Sequence, residues 1–230
     1  MRKFVNKFLL PLGYELRRIE RFNRLLDELW QSPGGVKFVQ VGANDGVRFD
    51  GLYAKVTQHP CAGLVIEPLP DMFERLKMNY AGYPAIVPVK IAIHASARSM
   101  DLYRVAPGAI PPLPDWAAGI ASFDRGHLTG HGIPVEHIVA EPVACVPLME
   151  LLESTRCLDA NVLQIDTEGY DAEIIRMIDF ARFRPRLIKY EHKNLTSSAA
   201  HDAETSLRAA GYRVNKEQQD TIAWHRVQPG

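Results

Sequence analysis

The residues able to do chemistry cluster in short stretches, each placed directly after an apolar run. The first is Val41-Gly42-Ala43-Asn44-Asp45-Gly46. Glycines there let the backbone approach a ligand and turn sharply into a following helix. Their spacing is G-x-x-x-G, not the G-x-G-x-x-G of dinucleotide binders. Glu67 ends the next apolar run, 21 residues beyond Gly46. An acid at that position can accept hydrogen bonds from ribose hydroxyls, so loop and acid together predict a nucleotide-like cofactor. Asp166 and Glu168 follow a third run, and Glu191-His192 a fourth. Neighbouring carboxylates raise one another's pKa or bind a cation. Asp166 and Glu191 could hold a hard cation such as Mg2+, which would acidify a substrate hydroxyl. Without a metal, His192 or His127 would take the proton near neutral pH.

These stretches need a frame that brings them to one edge. Apolar runs at 36–41, 62–66, 86–94, 162–165 and 186–190 read as strands, alternating with helical patterns near 49–58, 71–80, 148–153, 171–180 and 197–210. Asp71 with Glu74 three residues on reads as an N-cap signal. Such alternation predicts a mainly parallel sheet with helices on both faces, with ligands at the carboxyl ends of the strands. Tyr212–Lys216 and Thr221–Arg226, joined by a short turn, must pair antiparallel. Residues 98–146 break the rhythm: Met100–Val105 and His137–Val146 suit a hairpin, and the long proline-bearing connection between them suits a functional loop. Trp116–Leu128, with Asp115 and His127, is the candidate substrate lid. The expected division is a leader at 1–35 and one domain at 36–230 carrying the 98–146 hairpin and lid.

The chain has 230 residues, 47% hydrophobic and 23% charged, with 27 basic against 27 acidic side chains. These are ordinary globular values, and they exclude a disordered, collagen-like or membrane-embedded chain. Neutral charge removes the footprint of a protein that grips nucleic acid through many phosphates. Cys61, Cys145 and Cys157 form neither a disulfide framework nor a C-x-x-C pair, which suits a reducing, cytoplasmic compartment. Residues 1–24 carry seven basic and two acidic side chains, leaving 20 basic against 25 acidic in the remainder. A basic leader of this kind either packs on the domain or makes peripheral contact with an anionic membrane.

Three blocks, Phe38–Gly46, Ile66-Glu67-Pro68 and Leu163-Gln164-Ile165-Asp166-Thr167-Glu168-Gly169-Tyr170-Asp171, resemble the signature blocks of the FkbM-type methyltransferases in the same order. The resemblance spans about Val36 to Arg226. It implies the Rossmann-like class I methyltransferase fold: a seven-stranded, mostly parallel sheet with an antiparallel terminal strand and helices on both faces. It also implies S-adenosyl-L-methionine as cofactor and O-methylation of a sugar, glycan or natural-product hydroxyl. Gly42, Asn44 and Gly46 would then line the methionine and ribose end, Glu67 the ribose hydroxyls, and Ala92 to His94 the adenine. Asp166 would serve both cofactor and chemistry. Gln40 stands where many relatives have Asp. Two alternatives on the same architecture are an NAD-type oxidoreductase, which lacks its glycine spacing here, and a non-catalytic cofactor-binding protein.

Overall fold

The computed structural model describes residues 21–48, 51–109 and 113–225. The first 20 residues, which hold most of the basic leader, lie outside that range. Seven strands form the main sheet. In chain order they are β1 (Val36–Val41), β2 (Cys61–Ile66), β3 (Ile86–Val89), β8 (Val162–Ile165), β9 (Leu187–Glu191), β10 (Arg213–Glu217) and β11 (Asp220–Trp224). Their spatial order is β10-β11-β9-β8-β1-β2-β3. β11 runs antiparallel to both neighbours, whereas β3, β2, β1, β8 and β9 are mutually parallel.

The sheet is covered on both faces. Helix α1 (Arg21–Trp30) turns Phe22, Leu26 and Leu29 inward at helical spacing, onto Val36, Phe38, Val162 and Leu187. The short α2 (Tyr53–Val56) and α3 (Pro70–Asn79) add Val56 and Leu76 to that face. The opposite face takes α5 (Leu148–Ser154), α6 (Asp171–Arg176) and α7 (Ser197–Ala209), through residues such as Leu152, Ile174 and Leu207. Among the described residues no helix is long and apolar enough to cross a membrane.

A second sheet departs from the expected simple hairpin. β5 (Ser99–Val105) does pair antiparallel with β7 (Ile138–Val146), but β6 (Ala121–Ser122) adds to β5 and β4 (Ala92–Ile93) pairs parallel with β7. The single strand expected over 86–94 therefore splits at Lys90-Ile91, its two halves serving different sheets. The connection between β5 and β7, called the lid below, includes α4 (Arg125–Gly130) and buries a small core of its own: Ala117, Ile120, Leu128 and Ile133.

Two local expectations yield to tertiary contacts. Helix α3 begins one residue early, with Pro70 in its first turn and no side-chain cap. Asp71 spends its carboxylate on Arg104 of β5 instead; Arg104 also reaches Glu141 of β7 at 3.2 Å and is buried. The helix expected over 171–180 ends at Arg176.

Candidate active site

Register brings the chemistry into a row. Val41 is level with Ile66 on one side and Ile165 on the other, and Ile165 is level with Tyr190. Gly42, Glu67, Asp166 and Glu191 are the next residues of four adjacent strands. They stand side by side along the carboxyl edge, where parallel sheets bind ligands.

The β1 turn is fixed by close packing. Gly42 has φ +79°, and a Cβ there would lie 1.8 Å from the carbonyl oxygen of Asp166. Asn44, at φ +51°, donates its backbone N–H to Glu67 Oε2 at 2.9 Å and its side-chain amide to the carbonyl of Gly119 in the lid at 3.2 Å. Asn tolerates this left-handed conformation better than most residues. Leu69 N–H donates to the other oxygen of Glu67 at 2.8 Å. Burial pushes the Glu67 carboxyl up to about 7 against these bonds, which favour the charged form. Gly46 takes a different place from the one expected. Its φ is +80°, and a Cβ would strike Leu76 of α3 and Tyr80 just past its end, so it serves helix packing rather than the cleft.

Two cavities meet at this edge. The first is an apolar slot walled by Ile66, Ala92, Leu102, Phe123 and Tyr170, with Glu67 at one side. Tyr170 stacks on His94 with ring centres 5.5 Å apart, and Phe123 meets both edge-on. The second is a polar chamber of about 460 Å³ on the α1 face of the sheet. Gln40 and Gln164, level on β1 and β8, share its floor with Asp166, and Trp116 and His131 of the lid form one side. Gly42, Asn44, Gly119, Asp166 and Glu168 line both cavities and are their common wall.

The acidic residues at that wall differ in state. Asp166 opens to the cleft yet is surrounded by protein, and burial, then Asp171, Glu191 and Glu168, raise its pKa well above the usual carboxylate range. Asp171 is a strut: its Oδ2 accepts the Thr167 hydroxyl at 2.7 Å and its Oδ1 the Glu191 N–H at 3.1 Å, tying the loop after β8 to the end of β9. Glu168, at φ +53°, accepts from Asn194 Nδ2 at 2.7 Å and lies 3.0 Å from His127 Nε2. The same Asn194 amide donates to Glu191 at 2.6 Å. Burial, then the charges of Glu168 and Asp171, push Glu191 up to about 7. Asp166, Glu168 and Glu191 each place an oxygen within 4.8 Å of the others. Two of the three already share a donor, and proximity of carboxylates alone does not establish the expected Mg2+ site.

The histidines expected to act as bases are placed elsewhere. Successive residues of an extended chain point to opposite faces. Glu191 therefore faces the chamber while His192 turns to the other side, where its Nδ1 meets the Thr221 hydroxyl at 3.0 Å. His127 acts on Glu168 and lines neither cavity. Sequence reasoning missed Asn194, His131 and Tyr170 as site residues. Tyr170 stood inside the 163–171 block without being given a role, His131 lies four residues after His127, and Asn194 carried no signal.

Comparison with known proteins gives one family: the model of the Methyltransferase FkbM domain matches residues 40–214. A search of curated proteins finds no match. Among solved structures, a methyltransferase FkbM from Methylobacillus flagellatus is 11% identical with a TM-score of 0.49, over 83% of this chain and 43% of that one. A precorrin-6y C5,15-methyltransferase from Geobacter metallireducens is 13% identical with a TM-score of 0.43, over 91% and 94%. A fibrillarin pre-rRNA processing protein from Methanococcus jannaschii is 12% identical with a TM-score of 0.43, over 82% and 66%. The chain thus spans less than half of the first and just under two thirds of the third.

Proposed function

The chain belongs to the FkbM methyltransferase family, and from that premise we propose that it transfers a methyl group from S-adenosyl-L-methionine to a hydroxyl of a sugar, glycan or natural product. The observation that carries this reading is the wall shared by the two cavities. An apolar slot with an acid at a strand end suits a nucleoside, a polar chamber suits a hydroxylated acceptor, and transfer between them needs a common boundary.

The residues present fit the cofactor. Glu67 keeps acceptor capacity beyond its two backbone N–H bonds, which suits ribose hydroxyls. Ala92, Phe123 and Tyr170 offer the adenine an apolar, aromatic-walled slot. When bound, the cofactor supplies an electrophilic methyl carbon, so the protein's tasks are alignment and removal of one proton. Asp166 and Glu168, on the shared wall, orient the acceptor hydroxyl. Trp116, 42% exposed at the chamber side, offers a flat face to the acceptor ring, while the amides of Gln40, Gln164 and Asn194 address its hydroxyls. Family membership displaces the oxidoreductase alternative.

Calorimetry should show S-adenosyl-L-methionine binding, weakened by about 1–3 kcal/mol in Glu67→Ala through loss of charge-assisted hydrogen bonds. Labelled cofactor should then transfer its methyl to a member of a panel of glycans and small alcohols. Absence of binding overturns the proposal, and binding without any transfer returns the non-catalytic alternative. Exhaustive chelation should leave transfer intact. Loss restored by Mg2+ would instead assign Asp166 and Glu191 to a cation.

A further inference from the structure

Resting on the acceptor chamber described above, we infer that His131 is the general base for the acceptor hydroxyl. Of the eight histidines, all among the described residues, it is the one that lines either cavity. Its tautomer follows from one contact. Nδ1 lies 2.9 Å from the carbonyl oxygen of His127, and a carbonyl can only accept, so Nδ1 carries the hydrogen. In the neutral ring Nε2 is then left with its lone pair. This is the division of roles a base requires, one nitrogen anchored and the other able to accept.

The ring is also held in orientation. Its centre lies 6.2 Å from that of the Trp116 ring and 4.5 Å from that of His127, both in tilted contacts. His127 is in turn held by Glu168, so a residue of the shared wall supports the lid helix that His131 caps. His127 and Glu168 are positioning residues for this base. The titratable and charged groups that share its chamber are Asp166 and Glu168 from the loop after β8, Glu191 and Lys193 from the end of β9, and Arg48 from the connection after β1, while His127 touches it from the preceding helix turn.

The proton balance closes at this residue. The acceptor oxygen forms its bond to the methyl carbon, and the pair of the broken carbon–sulfur bond stays on sulfur. The hydroxyl proton moves to Nε2 of His131, and the resulting imidazolium returns it to water when product leaves.

The test has one arm that needs neither cofactor nor acceptor. Nitrogen NMR of 15N-histidine-labelled full-length protein, with His131→Gln to assign the resonance, should show His131 protonated at Nδ1 and bare at Nε2. The opposite tautomer overturns the inference. In the second arm, labelled methyl transfer is followed to the panel alcohol with the highest turnover. His131→Ala and His131→Gln should lower kcat by roughly 100- to 10,000-fold with KM changed little, and should abolish the acid limb of the pH–rate profile. Retention of kcat within a few-fold in either folded variant overturns the inference. Calorimetry separates this outcome from failure of the broader reading: both variants should bind S-adenosyl-L-methionine like the parent, and a parent that binds none refutes the proposed function itself.

Discussion

Gly42, where β1 leaves the sheet, and Gly132, just past the lid helix α4, share a φ of +79°, but their surroundings differ. Around Gly42 the β1 and β8 turns touch backbone to backbone, and a Cβ has nowhere to go. Around Gly132 a Cβ would find nothing within 4 Å. The strand-end frame is specified by register and close packing over five parallel strands. The lid packs its small apolar core against Val105 and Ile138 of the second sheet, and it meets the frame through single polar contacts: Asn44 to Gly119, Ser122 to Glu168 and His127 to Glu168. A methyltransferase needs both kinds of construction. Both regions reach both cavities, the frame through Gly42, Asn44 and Asp166 and the lid through Gly119.

The sharpest way to break the comparison is to substitute the two glycines. Gly42→Ala should cost more than about 4 kcal/mol or prevent folding, because backbone must move. Gly132→Ala should cost only the left-handed penalty of about 1–2 kcal/mol. Thermal melts of both variants measure it, and equal losses would erase the distinction.

The next effect is pH-dependent and belongs to the frame. Glu67 titrates at about 7 when folded against an ordinary 4.5, so its folded-state pKa is raised. A raised pKa contributes stability that is present at low pH and lost as pH rises from the unfolded to the folded value. Stability should therefore fall between pH 4.5 and 7, with Glu191 and Asp171 adding in the same direction. Glu67→Gln should flatten that fall by about 3 kcal/mol, the linkage expected for a shift of this size. Denaturant titrations across the range read it directly, and an unchanged slope would place Glu67 in a wetter setting.

Arg104 tests the seam between the regions. It is buried, while its partners Asp71 and Glu141 are partly exposed. Arg104→Met should cost about 2–3 kcal/mol, less than for a fully buried pair because both carboxylates can rehydrate. The loss should concentrate in the second sheet, seen as faster hydrogen exchange in β5 and β7 than in β1. Smallest is Ser122→Ala, which removes one hydrogen bond to the Glu168 carbonyl and should cost about 1 kcal/mol. Its signature is faster exchange at 113–123 with β1 and β8 unaltered.

The same contrast explains what could be read from the chain. Gly42, Asn44, Glu67 and Asp166 were legible because each follows an apolar run whose period names a strand, and parallel register does the rest. β1, β2, β8, β9 and the closing antiparallel pair came with them. The break at Lys90-Ile91 was hidden, because an apolar run does not show where a strand changes sheets. Asp71 carries a true capping signature, but a buried arginine from another element outcompetes a local backbone bond. His192 failed on strand alternation, which moves a side chain to the far face with one step along the sequence. Trp116, His131 and Asn194 sit in segments with no period to place them, and only the folded chain brings them to Glu168 and Glu191.

One pairing bears on how such a protein diversifies. Ile93 and Val146 are level neighbours on β4 and β7, and His94 N–H bonds the carbonyl of Val146 at 3.1 Å. The chain has already left the seven-stranded sheet after Val89, and β4 and the end of β7 close the second sheet side by side. Insertions in the loops of the intervening segment cost closure entropy that grows only slowly with length. The seven strands need not shift to accommodate them. Because Leu102, Gly119, Ala121 and Phe123 of that segment line the slot beside Glu67, an exchanged 94–145 segment would reshape the slot together with the chamber.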